Sequence, residues 1–234
     1  MRAWRAALLG IESVVCLAIA MLVLSTVALP ARAETGATAD PVFQIDFTHP
    51  ELVPSHWEIT IHPDGKGHFK AERSSQNAEP VQGMQVADVD RDLALSRDFT
   101  LRVFATARRK KLFNINCESK TKVAFTGWKD FSYRGPDGQG ACKFNYSEDK
   151  EIQSLSDSLG AVAETVIEGA RLQMLLQHDR LGLDKEMELL ATEVNAGRAR
   201  EIYLINGVLE QLAGDPAVLQ RVRKQASALL ARTD

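Results

Sequence analysis

The chain has 234 residues, of which 45% are hydrophobic, 25% charged and 6% aromatic, with a formal charge of −3. These values exclude collagen-like, low-complexity and wholly disordered chains. The mildly acidic balance also argues against nucleic acid as the main partner, since phosphate binding needs a basic surface.

Residues 1–33 have the layout of a secretory signal. Arg2 and Arg5 make the positive start, Val14 to Leu29 is an uncharged, mostly apolar run, and Pro30 breaks it. Ala31 and Ala33 supply the small residues a signal peptidase requires, so cleavage is expected after Ala33. The alternative is an uncleaved membrane anchor, because about 20 apolar residues can span a bilayer. Either way the chain is expected in the periplasm or outside the cell. Cys16 leaves with the signal, and Cys117 and Cys142 remain as a pair in an oxidising compartment. A bridge between them closes a loop of about 25 residues and contributes about 3 kcal/mol on a chain-entropy argument.

Residues 34–146 read as a hairpin-rich β/α region. Trp57, Ile59 and Ile61 alternate with His56, Glu58, Thr60 and His62, the period of a half-buried strand. Pro63-Asp64-Gly65 then suits a three-residue turn with glycine in a left-handed conformation. With His62 paired to Lys66, Thr60 faces His68, Ile59 faces Phe69, Glu58 faces Lys70 and Trp57 faces Ala71, so apolar meets apolar and opposite charges meet. Residues 73–91 are polar and irregular, and Asp92–Leu95 is a short strand. Ser96 caps a helix whose Phe99, Val103, Phe104 and Ala107 repeat at helical spacing as far as Lys111. Phe113, Ile115 and Cys117 alternate again, followed by Val123 and Phe125. A second hairpin turns at Pro136-Asp137-Gly138. A four-residue loop there sets Phe131 opposite Phe144 and Tyr133 opposite Cys142, which makes the disulfide buried and structural.

Residues 147–234 are helical and read as a bundle packed on the first region. Ser147 caps a helix in which Ile152, Leu155, Leu159, Val162, Val166 and Ala170 step by three and four toward Leu176. Some 30 residues make a rod of about 45–50 Å, which Gly160 and Gly169 either bend or open to a close neighbour. A second helix runs from Asp184 to Gly197, a third from about Arg198 to Ala213, and a fourth opens at Asp215-Pro216. The fold class is therefore α+β: disulfide-stapled antiparallel hairpins with one helix, then a C-terminal helical bundle.

Two features carry candidate chemistry. On the first hairpin, Glu58, His62 and His68 are diagonal neighbours on the outward face, close enough for imidazole and carboxylate to share zinc or copper. A solvated sheet face that happens to carry histidines accounts for the same pattern. The cations Arg108-Arg109-Lys110-Lys111 complement a helix macrodipole, or else contact an anionic lipid or envelope polymer. No hydrolase, zinc-protease, phosphate-loop or dinucleotide motif is present, and the bridge removes the thiols as nucleophiles.

The strings Ala124-Phe125-Thr126-Gly127, Phe144-Asn145-Tyr146-Ser147 and Asp179-Arg180-Leu181-Gly182-Leu183-Asp184 resemble those of exported bacterial proteins with no assigned function. The likeness implies an exported α+β protein and carries over no active site. The expected function is a non-enzymatic interaction or structural protein of the cell envelope, with an envelope protein or polymer as partner. Such a protein should expose an apolar patch, expected along the long helix. The alternatives are a metal- or small-ligand-binding protein using the histidine face, and an envelope hydrolase without a recognisable motif.

Overall fold

Alternating apolar and polar residues drive six strands into one antiparallel sheet. The computed structural model describes residues 40–72 and 88–232. The expected export segment, with Ala31 and Ala33, and the connection over 73–87 lie outside the described residues. Strands β1 (Val42–Thr48), β2 (His56–Ile61), β3 (Lys66–Glu72), β4 (Val89–Ala94), β5 (Trp128–Gly135) and β6 (Gly138–Phe144) are ordered β4-β3-β2-β1-β5-β6. Helices α1 (Arg97–Arg109), α2 (Lys150–His178), α3 (Leu183–Asn195), α4 (Asn206–Gly214) and α5 (Gln220–Leu230) complete an α+β fold. Thr38–Asp234 forms one compact unit.

The β2–β3 hairpin has the register that its turn implies. His62 N–H donates to the Lys66 carbonyl at 2.8 Å, and Gly65 holds the turn at φ +87°. Ile59 faces Phe69, Glu58 faces Lys70 and Trp57 faces Ala71. The β5–β6 loop is shorter than the sequence suggested. Gly135 faces Gly138 across Pro136-Asp137, so Phe131 faces Cys142 and Tyr133 faces Gly140. Asp137 favours the tight form, accepting Tyr133 OH at 2.5 Å and Arg108 Nε at 3.2 Å. The register differs from expectation by two residues, which leaves every side chain on its own face. Phe131, Tyr133, Cys142 and Phe144 are accordingly all buried.

Ser96 caps α1 by accepting Phe99 N–H. After α1 the expected strand over Phe113–Cys117 and Val123–Phe125 does not form, and residues 114–127 are irregular. The cause lies just upstream. Lys111, Leu112 and Phe113 all take positive φ, a left-handed turn that inserts Phe113 into the core. Its far side presses against β6 at Gly140, where any Cβ would collide with the Leu112 carbonyl. The Cys117–Cys142 disulfide then ties the irregular segment, not a second strand, to β6.

Helix α2 joins two apolar clusters. Its N-cap is Asp149, which accepts Glu151 and Ile152 N–H, while Ser147, the expected cap, accepts Asp149 N–H at 3.3 Å. The first half, through Ile152, Leu159, Val162 and Val166, packs with α1 and the inner sheet face. Beyond Gly169 the helix enters a second cluster, where Leu172 meets Met187, Leu190, Leu209 and Val222. The division between the two apolar clusters therefore falls inside α2. The apolar patch expected along this helix is absent, because the stripe is buried on both stretches.

Tertiary hydrogen bonds reshape the C-terminal elements. Glu201, at φ +55°, accepts Ser96 N–H at 2.8 Å and Ser96 OH at 3.0 Å, and it also accepts Tyr203 OH. These contacts replace the start of the expected third helix with a 3-10 turn over Ile202–Ile205 before α4. Asp215 likewise delays the last helix, accepting Ala217 N–H on its side chain and Val218 N–H on its carbonyl.

The two glycines of α2 make a paired prediction. A Cβ at Gly169 would overlap Ile205, whereas at Gly160 it would meet nothing within 4 Å. Denaturant unfolding should show Gly169→Val destabilised by about 1–3 kcal/mol. Gly160→Ala should be stabilised by about 0.5–1 kcal/mol through helix propensity alone.

Candidate functional site: an aromatic loop over a buried lysine

The sheet buries one face and leaves the other open. Cross-strand pairing sets a row of charges across the open face: Asp90, Lys70, Glu58, Asp46, Asp130 and Lys143 on six adjacent strands. Glu58, Asp46 and Asp130 stand side by side, an arrangement that costs stability unless each finds a partner. Glu58 accepts Gln44 Nε2 at 3.1 Å, and Asp46 meets His56 Nε2 at 2.9 Å. Burial pushes the Asp130 carboxyl up, Lys143 opposes that, and Asp46 adds to it.

Of the three expected zinc or copper ligands, His62 follows β2 at the turn, and Glu58 and His68 have partners within the sheet. His68 lies 3.1 Å from Asp90 through Nε2 and 2.9 Å from Asp92 through Nδ1. The Asp92 hydrogen bond leads in holding its pKa above the ordinary histidine value. Both ring nitrogens of His68 thus lie within hydrogen-bond distance of a carboxylate. Glu58 is engaged by Gln44, and among the described residues no group of three or more His, Cys, Asp or Glu could hold a metal ion. The cation run is also engaged within the fold. Arg108 pairs with Asp137, Arg109 with Glu151 at 2.9 Å, and Lys110 with Asp149 at 2.6 Å. The C-terminus of α1 is thereby clamped to the N-terminus of α2, with each charge complementing its own helix pole.

Two of the three strings singled out in the sequence meet at one place. Asn145 Oδ1 accepts Thr126 N–H at 2.6 Å, and Asn145 Nδ2 donates to the Ala124 carbonyl at 3.0 Å. Beneath them lies Lys129, on the inward face of β5 with Phe47 opposite it. Its Nζ donates to Thr126 Oγ1 at 2.8 Å, the Asn145 carbonyl at 2.7 Å and the Thr126 carbonyl at 3.3 Å. The ammonium also sits 5.9 Å above the Phe47 ring. Burial pushes Lys129 down to about 8, with the charges of Asp157 and Glu118 opposing. Three N–H protons meet three oxygens, so the amine serves as a pin for the loop and not as a nucleophile. Glu118 completes the mount by accepting Asn145 N–H at 2.6 Å.

The pinned loop displays the aromatic side chains that the buried helix does not. Residues 120–126 are exposed without a break. Phe125 is 46% exposed and Trp128 42%, with ring centroids 5.9 Å apart, and the His49 ring lies 5.1 Å from Phe125, tilted by 34°. Lys143 Nζ lies 5.6 Å above the Trp128 ring. Sequence reasoning missed this cluster because it read Val123 and Phe125 as strand residues. The usable signal was the strict alternation of β5, which puts Trp128 outward once Lys129 points inward.

A second polar group lies between the two cores. Glu164 and Glu168 of α2 and Glu186 of α3 surround Arg171, whose Nη1 donates to Glu168 and whose Nη2 donates to the Val53 carbonyl at 3.2 Å. Burial pushes the Glu168 carboxyl up and Glu186 adds to this, while Arg171 opposes. Glu168 Oε2, Arg171 Nε and Glu186 Oε1 lack a hydrogen-bond partner. The sequence signal was two glutamates inside a stretch, 159–170, that is otherwise small or apolar on every side.

No protein-family model matches the chain, and no curated protein matches it. Among the described residues, no helix is long and apolar enough to cross a membrane.

Two measurements follow from this geometry. Between pH 8 and 10 the unfolded chain keeps a lysine proton that folded Lys129 sheds, so stability should rise with pH by about 2 kcal/mol. Denaturant unfolding should show that rise in the wild type and lose it in Lys129→Met. On the histidine-face reading, zinc or copper should raise the melting temperature and His62→Ala with His68→Ala should abolish the rise, whereas no shift in the wild type would sink that reading.

Proposed function

We propose that this is an exported, periplasmic protein of the cell envelope that acts by contact, as a non-enzymatic interaction or structural component. The observation that carries this reading is the exposed pair Phe125 and Trp128 on a loop that the disulfide, Asn145 and Lys129 hold rigid. Large aromatic side chains left in water reduce solubility and serve recognition when clustered. A rigid mount lowers the entropy lost on binding. The layout of residues 1–33 and the buried bridge support an oxidising compartment.

A small-ligand reading is favoured by one further observation. At the Val42 end of the open face a 550 Å³ cleft is lined by Gln44, Asn114, Ser132, Arg134 and Gln139. Asp40 also lines it, and this mix of amides, a hydroxyl, a guanidinium and a carboxylate suits a polar ligand.

In-cell photo-cross-linking separates the readings. A photoreactive residue at position 125 should capture a recurring envelope component, while one at Leu101, exposed on α1, should not. No adduct from position 125, or free thiols at Cys117 and Cys142 in the isolated protein, would overturn the proposal.

A further inference from the structure

We infer that Glu168 of α2 and Glu186 of α3 share one proton, and that this proton makes the joint between the two apolar clusters a pH-sensitive latch. The latch stands apart from the contact reading. The Glu168 side chain is fully buried, and those of Arg171 and Glu186 are 14% and 18% exposed. Arg171 Nη1 lies 2.5 Å from Glu168 Oε1 but 3.7 Å from Glu186 Oε1, too far for a hydrogen bond. Glu168 Oε2 and Glu186 Oε1 remain as buried oxygens without a partner, although the two carboxyls lie within hydrogen-bonding reach of each other. Ionised carboxylates offer only acceptors, so two of them cannot bond. A shared proton turns the pair into one donor and one acceptor.

The surrounding charges favour keeping that proton. Arg171 and Glu164 act on Glu168 from its own helix and Glu186 acts from α3. Glu193 of α3 and Arg198 beyond it act on Glu164, while Val53 of the β1–β2 connection supplies its carbonyl to Arg171. Three carboxylates around one guanidinium would leave net negative charge on a side chain with no access to water, a costly arrangement. Glu164, one turn earlier on α2, is also pushed up by burial. It is only half-buried, however, and neither of its oxygens is among the buried atoms without a partner. In the unfolded chain these groups ionise in the ordinary carboxylate range, so at neutral pH the folded protein holds one proton more. Stability is then greatest below that range and falls as pH rises, until the pair releases its proton.

The test is denaturant unfolding of the isolated protein between about pH 5.5 and 7.5, with amide exchange of α3 read alongside. Relative to Glu168→Gln, the wild-type unfolding constant should rise about tenfold per pH unit, the slope of a single proton. A glutamine amide at 168 accepts from Arg171 and donates to Glu186, so this variant should fold and lack the slope. Glu186→Gln should lack it equally, because its amide can donate to Glu168, whereas Glu164→Gln should keep it. Protection of the α3 amides, corrected for the intrinsic rate, should fall by the same factor in the wild type. Infrared spectra of the wild type at neutral pH should show a protonated carboxyl that Glu168→Gln lacks. Equal slopes in wild type and Glu168→Gln, no protonated carboxyl in the wild type, or α3 protection that ignores pH would overturn the inference. A slope lost in Glu164→Gln and kept in Glu186→Gln would move the proton off the pair and overturn it as well.

Discussion

The fold depends on burying one long helix along two different faces. From Ile152 to Ile167, α2 serves the sheet and α1, and from Leu172 onward it serves α3, α4 and α5. A helix in that position must change the direction of its apolar stripe partway along. The stretch from Leu159 to Ala170 does this by being small and apolar almost all round, with Gly169 admitting Ile205 at the joint. The Glu168–Arg171 pair occupies the same joint, with the Glu168 side chain fully buried. The cation clamp at Asp149 and Glu151 fixes the other end of the helix, so its angle to the sheet is set at both ends.

What could be read from the chain tracks how local the physics was. The β2–β3 register followed from three turn residues and the partners they bring together. The extent of α2 followed from periodicity, and the bridge followed from counting cysteines. The failures share a different cause. The left-handed turn at Lys111–Phe113 is stabilised by a backbone groove at Gly140, almost 30 residues further on. The late start of α4 depends on Glu201 reaching Ser96, more than 100 residues earlier. Neither interaction leaves a trace within a short window. The β5–β6 loop was misjudged in length but not in facing, because an even slip preserves sidedness.

The aromatic loop was illegible for a related reason. Its apolar residues resemble strand residues, and only the competing hydrogen bonds of Asn145 and Lys129 show that the segment is held as a loop. Lys129 also shows how a buried cation can be structural. It sits where a strand requires an inward side chain, and the neighbouring chain supplies an oxygen for each proton. The open sheet face was legible in composition but not in consequence. Of the histidines identified by spacing, His68 is engaged by the carboxylates of β4, a strand whose pairing the hairpin alone could not reveal.

The order of the strands has a kinetic consequence. β1 is the first strand among the described residues and a central strand of the sheet, flanked by β2 on one side and β5 on the other. Its second neighbour begins at Trp128, some 80 residues after β1 ends, so until that segment arrives the sequence Val42–Thr48 presents an unpaired backbone edge with Phe43, Ile45 and Phe47 beside it. Non-local pairing of this kind slows folding and leaves an aggregation-prone edge exposed in the meantime. A chain emerging from its amino end would therefore need the β1 edge shielded until β5 closes over it.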